Sequence, residues 1–330
     1  MIDNHPNFPE KLAISPLLPC GAHSKRLLDV EENVFGADAQ REAIETYGIA
    51  GRVWEAAYLM TNYIDQPSNW EFEPPFIDKN VSGRKRVFLE LGSGTGIVAA
   101  KIAQTAALSG RDHVIVTDLP EVCPLLERNL FVKLEGSSVG RQLYDGVISV
   151  RPLPWGSSDH VMKIIQELQL IGDSSDGMHA CITRIVCSDL VYFPHLLAPL
   201  LRTLLHLTSP PFASTSESQP QVVISYKIRS LLKETPFWSA FGLWFSFEPV
   251  IARKIDPNHL PSEWQRLGSD TRDGGDQMFI FVARRRPESL NWTIPLEDTD
   301  LLGGVGARGT NNKKSDETFE TLLFMGIGEG

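Results

Sequence analysis

The stretch from residue 87 to residue 97 reads Val-Phe-Leu-Glu-Leu-Gly-Ser-Gly-Thr-Gly-Ile and decides the fold. Its first half is a short apolar run with one acid, a pattern typical of a buried strand. Three glycines at alternating positions follow, and the alanine-rich stretch from Ile97 to Leu108 then predicts a helix. Because glycine lets the backbone turn tightly and approach a ligand, this succession predicts the first unit of a nucleotide-binding sheet.

The spacing of the three glycines restricts the kind of ligand. A dinucleotide-binding loop has the pattern G-x-G-x-x-G, and the sixth position counted from Gly92 is Ile97. A phosphate-binding P-loop requires a lysine that this loop lacks. Glu90, just before the turn, suits a cationic or hydroxyl-bearing ligand better than a pyrophosphate. Taken alone, the loop leaves open that it is only a strand-to-helix turn.

Composition and charge exclude several classes of protein. The chain has 330 residues, of which 42% are hydrophobic and 22% charged, so it can hold one large domain with extensions. A formal charge of −10 argues against a sequence-independent nucleic-acid binder. Four cysteines without C-x-x-C spacing predict a reducing compartment and no metal site. Since no signal peptide or membrane-spanning run is found, we expect a cytoplasmic, soluble monomer without membrane or nucleic-acid partners.

Apolar runs separated by helical patterns predict an α/β fold. The expected class is a Rossmann-like seven-stranded mixed sheet with helices on both faces. Six strands are expected to be parallel and one antiparallel, because no long crossover helix separates the last two. The predicted strands are Val87–Leu91, Val114–Thr117, Val147–Val150, Arg184–Ser188, Gln221–Tyr226, Phe245–Ile251 and Met278–Ala283.

The two ends of the chain differ from its centre. Residues 1–45 are irregular and mixed in charge, which predicts an N-terminal extension. A catalytic or binding domain is expected over residues 46–286, with polar loops at 65–84 and 252–275. Residues 287–330 carry glycine-rich and Asn-Lys-rich runs that predict a flexible C-terminal tail.

Acidic residues follow two of the predicted strands. Asp118 lies about 20 residues beyond the glycine loop, where doubly wound folds place an acid that binds ribose hydroxyls. The alternative is that Asp118 only caps the next helix. Asp189 follows the fourth strand, and ligands in open α/β sheets bind at such strand ends. The turn Trp155-Gly156 offers a flat apolar surface that suits an adenine ring, although a packed core Trp is an equal alternative.

In this order, the motifs resemble those of the seven-β-strand methyltransferases that use S-adenosylmethionine. More closely, they are similar to the family 16 lysine methyltransferase group, of the methyltransferase-like 21 type. Pro124–Asn129 and Ser225–Arg229 also resemble fungal enzymes acting on translation elongation factor 1-alpha. The resemblance covers roughly residues 50–286 and rests on Gly51–Glu55, Leu89–Gly96, Val116–Asp118, Trp155-Gly156 and Asp189–Tyr192.

The resemblance implies a set of cofactor-binding residues, which are Trp54, Glu90, Gly92, Ser93, Gly94, Gly96, Asp118, Leu119, Trp155 and Ser188. Within this set Glu90 and the glycine backbone would meet the methionine part and ribose of S-adenosylmethionine. Asp118 would hold the ribose diol, with Leu119 and Trp155 against the adenine. Trp54 would close over the cofactor.

The resemblance also implies where the acceptor binds. Asp189 and Tyr192 are the implied catalytic residues, lining the channel where a lysine amine meets the methyl group. Asp189 is expected to orient the amine or to accept its proton through water, the alternative being a structural bond to a neighbouring loop. The sequence departs from the group at Glu55, where many members have Asp.

The function implied is an S-adenosylmethionine-dependent protein-lysine N-methyltransferase, with elongation factor 1-alpha as its expected protein substrate. Three alternatives remain at this point. One is a small-molecule amine methyltransferase of the nicotinamide N-methyltransferase kind, and another is a cofactor-binding scaffold without activity. The third, a nicotinamide dehydrogenase, is disfavoured by the glycine spacing.

Overall fold

The structure is a computed structural model of the 330-residue chain. It describes residues 7–9, 12–18, 33–77, 85–107, 111–131, 144, 146–172, 182–210, 212, 219–255, 262–269 and 277–325.

A seven-stranded sheet forms the centre of the molecule. Its strands are β2 (Val87–Leu91), β3 (His113–Asp118), β4 (Ile148–Pro152), β5 (Ile182–Ser188), β6 (Gln221–Lys227), β7 (Phe245–Pro249) and β10 (Met278–Arg285). Their spatial order is β4-β3-β2-β5-β6-β10-β7. The first five of these run parallel, while β10 is antiparallel to both β6 and β7. The predicted mixed sheet, with one antiparallel strand, is therefore confirmed.

Helices cover both faces of this sheet. They are α1 (Ala37–Tyr47), α2 (Glu55–Asp65), α3 (Ile97–Lys101), α4 (Cys123–Leu130), α5 (Ser158–Gly172), α6 (Pro194–Leu207), α7 (Leu231–Trp244), α8 (Asp298–Leu302) and α9 (Thr318–Met325). Helices α5, α6 and α7 pack on one face, and α2, α3 and α4 pack on the other. A strand buried on both faces has no polar side to show, so β2 is apolar nearly throughout.

A second, three-stranded sheet lies in segments that were predicted to be loops. It consists of β1 (Trp70–Glu73), β8 (Ile251–Lys254) and β9 (Gln265–Arg266), all antiparallel. The single sixth strand predicted for Phe245–Ile251 is wrong at its end, because the chain leaves the main sheet at Val250. Pairing between segments about 180 residues apart fixes this sheet, and no local pattern encodes such pairing.

The flexible tail predicted for residues 287–330 is wrong over the part that the structure describes. Residues 287–325 carry α8, α9 and two short 3-10 turns. Leu301, Ala307 and Phe319 are fully buried, and Phe319 stacks on Trp238 of α7 with ring centroids 4.9 Å apart. Burying such a side chain stabilises the segment by about 2 kcal/mol, which outweighs its glycine-rich composition.

The N-terminal extension also contains structure. Helix α1 begins at Ala37, inside the segment predicted to be irregular. The buried Gln40 side chain of α1 accepts hydrogen bonds from the backbone N–H groups of Leu17 and Val53. It donates in turn to the carbonyls of Leu17 and Phe35, each at 2.8 Å. Gln40 therefore ties the extension to the entry of α2.

Candidate active site

A cavity of about 490 Å³ opens where the parallel strands end. Since the carboxyl ends of parallel strands meet at one edge of a sheet, β2, β3 and β5 all contribute to it. The structure brings together every predicted site residue except Gly96. Those that line the cavity are Trp54, Glu90, Gly92, Ser93, Gly94, Asp118, Leu119, Trp155, Ser188, Asp189 and Tyr192.

The glycine loop forms the floor of the cavity. Gly92 and Gly94 adopt φ of +57° and +53°, which L side chains rarely adopt. A Cβ atom at Gly92 would lie 2.8 Å from Leu190 and 2.9 Å from Trp155, so only glycine fits there. Asn129 holds the loop from below, because its buried amide donates to the carbonyl of Thr95 at 2.9 Å. The loop is thus preshaped without a ligand.

Gly96 is the exception among the predicted site residues. It precedes α3 and faces away from the cavity, where a Cβ atom would lie 3.1–3.2 Å from Leu126 and Leu130. Gly96 is therefore the one predicted site residue that does not line the cavity, and its contact with the cofactor stays a prediction. Its role is close packing of the loop onto α4, and a regular glycine pattern does not distinguish that role from ligand contact.

Asp118 closes the end of β3 over the glycine loop. Its carboxylate accepts hydrogen bonds from the N–H of Gly94 at 2.8 Å and from the N–H of Leu119 at 2.7 Å. Burial raises the pKa of Asp118 to about 6, although these two bonds act in the opposite direction. A carboxylate has about four acceptor positions, so two remain for hydroxyl groups of a ligand. The alternative that Asp118 caps the next helix is wrong, because α4 begins at Cys123 and both hydrogen bonds of Asp118 go to Gly94 and Leu119. The ligand-holding role of Asp118 stays a prediction.

Glu90 lies beside it at the end of β2 and is 1% exposed. Burial raises the pKa of Glu90 to about 8, and the nearby charge of Asp118 acts in the same direction. Its Oε2 atom and the Oγ atom of Ser93 form no well-placed hydrogen bond among the described residues, although the nearby Ser93 hydroxyl acts to lower the pKa of Glu90. Buried polar atoms are nearly always paired, so these two atoms can bind either each other or a polar ligand in the cavity.

Two tryptophans flank the loop from different elements. Trp155 follows β4 and packs against Gly92, and the next N–H, of Gly156, donates to the Thr203 hydroxyl at 2.7 Å. Trp54 precedes α2, and its indole N–H donates to the carbonyl of Ile49 at 3.0 Å. Both residues line the cavity, and the guanidinium groups of Arg52 and Arg229 lie 4.3 and 5.3 Å from the centroid of the Trp54 ring.

Asp189 follows β5 in a left-handed backbone conformation, with φ of +62°. Its side chain is 1% exposed, and both carboxylate oxygens accept hydrogen bonds from the Arg229 guanidinium, at 2.7 and 2.5 Å. Tyr192 lies nearby with its ring in edge contact with Phe193. Burial raises the pKa of Tyr192 above its ordinary value, so its hydroxyl stays protonated.

Sequence reasoning missed the ion-pair network beside Asp189. Arg229 also lies 3.5 Å from Glu55 Oε2, and Glu55 Oε1 pairs with Arg52 and Lys227 at 3.1 Å each. Glu55, at a position where many members of the resembling group have Asp, therefore pairs with three cations. The sequence signal that could have indicated this network is the pair of cations at the end of β6, Lys227 and Arg229, which lie at the same sheet edge as the acids.

The N-terminal extension supplies one further wall. Asn7 and Leu12 line the cavity. The backbone N–H of Ile49 donates to the carbonyl of Asn7 at 2.9 Å, and the Tyr58 hydroxyl donates to the carbonyl of Leu17 at 2.8 Å. We call residues 7–9 and 12–18 the N-terminal wall. No composition or periodicity predicted its place.

The described parts of the chain contain neither a candidate metal cluster nor a membrane-spanning helix. No cluster of three or more His, Cys, Asp or Glu side chains there could hold a metal ion. Within the same ranges, every helix is too short or too polar to cross a bilayer.

Comparison with known proteins decides the family. The family described as lysine methyltransferase matches residues 38–241, more than half of the chain. This chain belongs to the lysine methyltransferase family. The segment matched within this family contains every predicted site residue and ends inside α7, so it excludes β7, β10 and the N-terminal wall.

Two curated members are similar to this lysine methyltransferase family chain. "EEF1A lysine methyltransferase 3" of Mus musculus is 30% identical over 163 residues, which are 49% of this chain and 53% of the mouse protein. "Protein-lysine N-methyltransferase EFM6" of Saccharomyces cerevisiae is 28% identical over 186 residues, covering 55% of this chain and 65% of the yeast protein. The chain thus spans only about half to two thirds of these relatives.

A solved structure of a CurJ carbon methyltransferase also matches, with 13% identity and a TM-score of 0.38. The match covers 78% of this chain and 61% of that one. That similarity is too low to support a conclusion.

Proposed function

We propose that this chain is an S-adenosylmethionine-dependent protein-lysine N-methyltransferase. One observation carries the proposal beyond family membership. The family segment brings Glu90, Ser93, Asp118 and Asp189 to one cavity, in which Glu90 Oε2 and Ser93 Oγ form no well-placed hydrogen bond among the described residues. A ligand with hydroxyl and cationic groups would satisfy these atoms, and S-adenosylmethionine carries both.

The residues of the cavity fit this cofactor. The bare backbone at Gly92 and Gly94 leaves room that a Cβ atom would fill. The two free acceptor positions of Asp118 suit a ribose diol. Leu119 and Trp155 would contact the adenine, and Trp54 would cover the cofactor from the α2 side. Glu90 and Ser93 would bind the remaining polar groups, and Ser188 would line the end nearest the acceptor.

When bound, the cofactor supplies a methyl group activated by its sulfonium. The chain's own contribution is positioning, since a displacement requires the attacking amine in line with the methyl group. The amine must also be neutral and stripped of water. The apolar walls of the cavity provide such surroundings, because burial disfavours the charged form of an amine.

Asp189 and Tyr192 would orient the amine at the acceptor end. Because Arg229 binds both carboxylate oxygens of Asp189, orientation of the amine is the role we assign to Asp189. The Tyr192 hydroxyl remains protonated and can donate or accept a hydrogen bond.

Translation elongation factor 1-alpha is the substrate we propose. The mouse relative is named for this protein, and the yeast relative is named as acting on protein lysines. A substrate of the translation apparatus would place the chain in the cytoplasm, where it would act as a monomer.

The test is incubation with S-adenosylmethionine and unmethylated elongation factor 1-alpha, followed by mass spectrometry of its lysines. We expect methylation of one lysine, and we expect Asp189→Ala to abolish it while cofactor affinity stays nearly intact. Transfer to nicotinamide but to no protein would instead identify a small-molecule enzyme. Cofactor binding without any transfer would identify a scaffold.

A further inference from the structure

Arg229 connects two walls of the cavity mouth. It lies between β6 and α7, binds Asp189 after β5 with two hydrogen bonds, and lies 3.5 Å from Glu55 at the start of α2. Its guanidinium also lies 5.3 Å from the ring centroid of Trp54. Each partner belongs to a different element, so Arg229 fixes their relative positions at the place where an acceptor would enter.

An unpaired Asp189 would oppose the reaction that we propose. A carboxylate close to an amine stabilises the charged ammonium form and raises the pKa of the amine. An ammonium has no lone pair and cannot attack a methyl group. The Asp189 side chain is 1% exposed, so water would screen its charge little. A neighbouring cation is therefore needed if Asp189 is to orient the amine without holding it protonated.

We propose that Arg229 is a positioning residue that holds Asp189 across the cavity mouth and offsets its negative charge where the lysine amine enters. This inference rests on the proposed function, because it assigns Arg229 a part in the same acceptor site.

The methyl transfer conserves atoms and electrons. The substrate ammonium loses one proton to water, and the neutral amine then uses its lone pair to form the N–C bond. The C–S bond breaks, and the sulfur keeps its electron pair. Arg229 takes no part in bond making, and its guanidinium stays protonated throughout. Burial lowers the pKa of Arg229, but the hydrogen bonds and charge of Asp189, with Glu55 and Glu234, raise it above its ordinary value.

Other charged or titratable groups also face this site, and a change in pH can change their charge as well. From the described elements packed around Arg229 and the cavity they are Arg52, Glu55, Glu90, Asp118, Tyr192, Lys227, Lys233 and Glu234. None of them replaces Arg229, because no other cation among the described residues forms an ion pair with the Asp189 carboxylate.

The first test is the pH dependence of kcat, at saturating elongation factor 1-alpha, in Arg229→Met, because kcat reports groups that titrate in the enzyme–substrate complex. Losing the cation should raise the pKa of the bound amine, so the rising limb of kcat should move about one unit to higher pH. At neutral pH kcat should fall about tenfold, with recovery at high pH. Arg229→Lys keeps the charge without the two parallel bonds, so its limb should stay near wild type while kcat falls.

The matched control is Arg253→Met. Arg253 pairs with Glu71 at 2.6 Å and lies 4.5 Å from the ring of Trp264, a similar setting outside the cavity. We expect an unchanged pH profile for this variant. The double variant Arg229→Met/Asp189→Asn removes both charges and avoids an unpaired buried acid. Its limb should return toward the wild-type pH even though kcat is low.

The second test needs no turnover. With S-adenosylhomocysteine in the site at pH 6, Arg229→Met should bind unmodified elongation factor 1-alpha several-fold more tightly, because Asp189 is then free for the ammonium. A residue with a merely structural role would weaken binding and turnover together. An unmoved limb together with unchanged or weaker binding overturns the inference while methylation by wild type stands. Absence of wild-type transfer to any protein refutes the proposed function itself.

Discussion

At neutral pH the buried Glu90 side chain is protonated, whereas a glutamate exposed to water would be ionised. Burial raises the pKa of Glu90 from 4.5 to about 8, so the fold loses stability as pH rises from about 4.5 to about 8 and loses no more above that. Glu90→Gln cannot ionise, so its stability relative to wild type should increase by about 2–3 kcal/mol between pH 6 and pH 9. Thermal unfolding of both proteins between pH 6 and pH 9 measures the difference. Parallel curves for the two proteins would contradict the assignment.

Asp118 serves the backbone as well as the ligand. Asp118→Ala removes the acceptor for the N–H groups of Gly94 and Leu119 and the proposed ribose contact. We expect S-adenosylmethionine to bind more weakly by roughly 1–3 kcal/mol in calorimetry. Asp112→Ala is the control, since Asp112 is equally buried but pairs with Arg86. It should lower stability and leave the affinity for cofactor unchanged.

At the residue scale, the sequence predicted which acidic residues meet at the cavity but not how their charges are paired. The carboxyl ends of parallel strands converge whatever the side chains are, so Glu90, Asp118 and Asp189 could be placed together in advance. The pairing of Asp189 with Arg229 spans 40 positions and depends on how two loops meet. No local pattern carries that information, so the sequence could not distinguish orientation of the amine from acceptance of its proton.

At the scale of single elements, the glycine loop is held by crowding as much as by backbone conformation. Gly92→Ala would place a methyl group within 2.9 Å of Leu190 and Trp155. Gly146 has φ of +75° with nothing within 4 Å of its Cβ position, so Gly146→Ala shares only the conformational cost. Both variants should lose about 1–2 kcal/mol of stability from the backbone conformation. Gly92→Ala should lose about 1–3 kcal/mol more from crowding. Only Gly92→Ala should weaken cofactor binding, by roughly tenfold, as measured by calorimetry. Equal affinities would show that the loop tolerates the methyl group.

Elements fixed by local pattern were predicted, and elements fixed by distant pairing were not. Helix α6, Pro194–Leu207, carries such local signals, namely apolar periodicity and a proline in its first turn. Strand β1 reads as Trp-Glu-Phe-Glu between prolines and charges, and it exists because β8 pairs with it. Its propensity alone is too weak to indicate a strand.

At the scale of the whole molecule, the C-terminal segment closes the core of one face. Phe319→Ala leaves a void among Trp238, Tyr226 and Phe281, so unfolding in urea should lose about 3–5 kcal/mol. Phe324→Ala, in the same helix at 73% exposure, should change stability by less than about 0.5 kcal/mol. Similar values for the two variants would mean that the segment adds little to the core.

The direction of the last strands was predictable, but the course of the tail was not. The absence of a long crossover helix between the last two strands was readable from the sequence and predicted the antiparallel strand. In the tail, Leu301, Ala307 and Phe319 are buried singly at wide intervals, so no periodic pattern marks them.

The N-terminal wall has a practical consequence for inhibitor design. Asn7 and Leu12 touch the cavity, yet they lie outside residues 38–241, the segment that defines the family. A compound confined to the glycine loop would meet surfaces that the family segment supplies. A compound extended to Asn7 and Leu12 would also contact residues that lie outside the family segment.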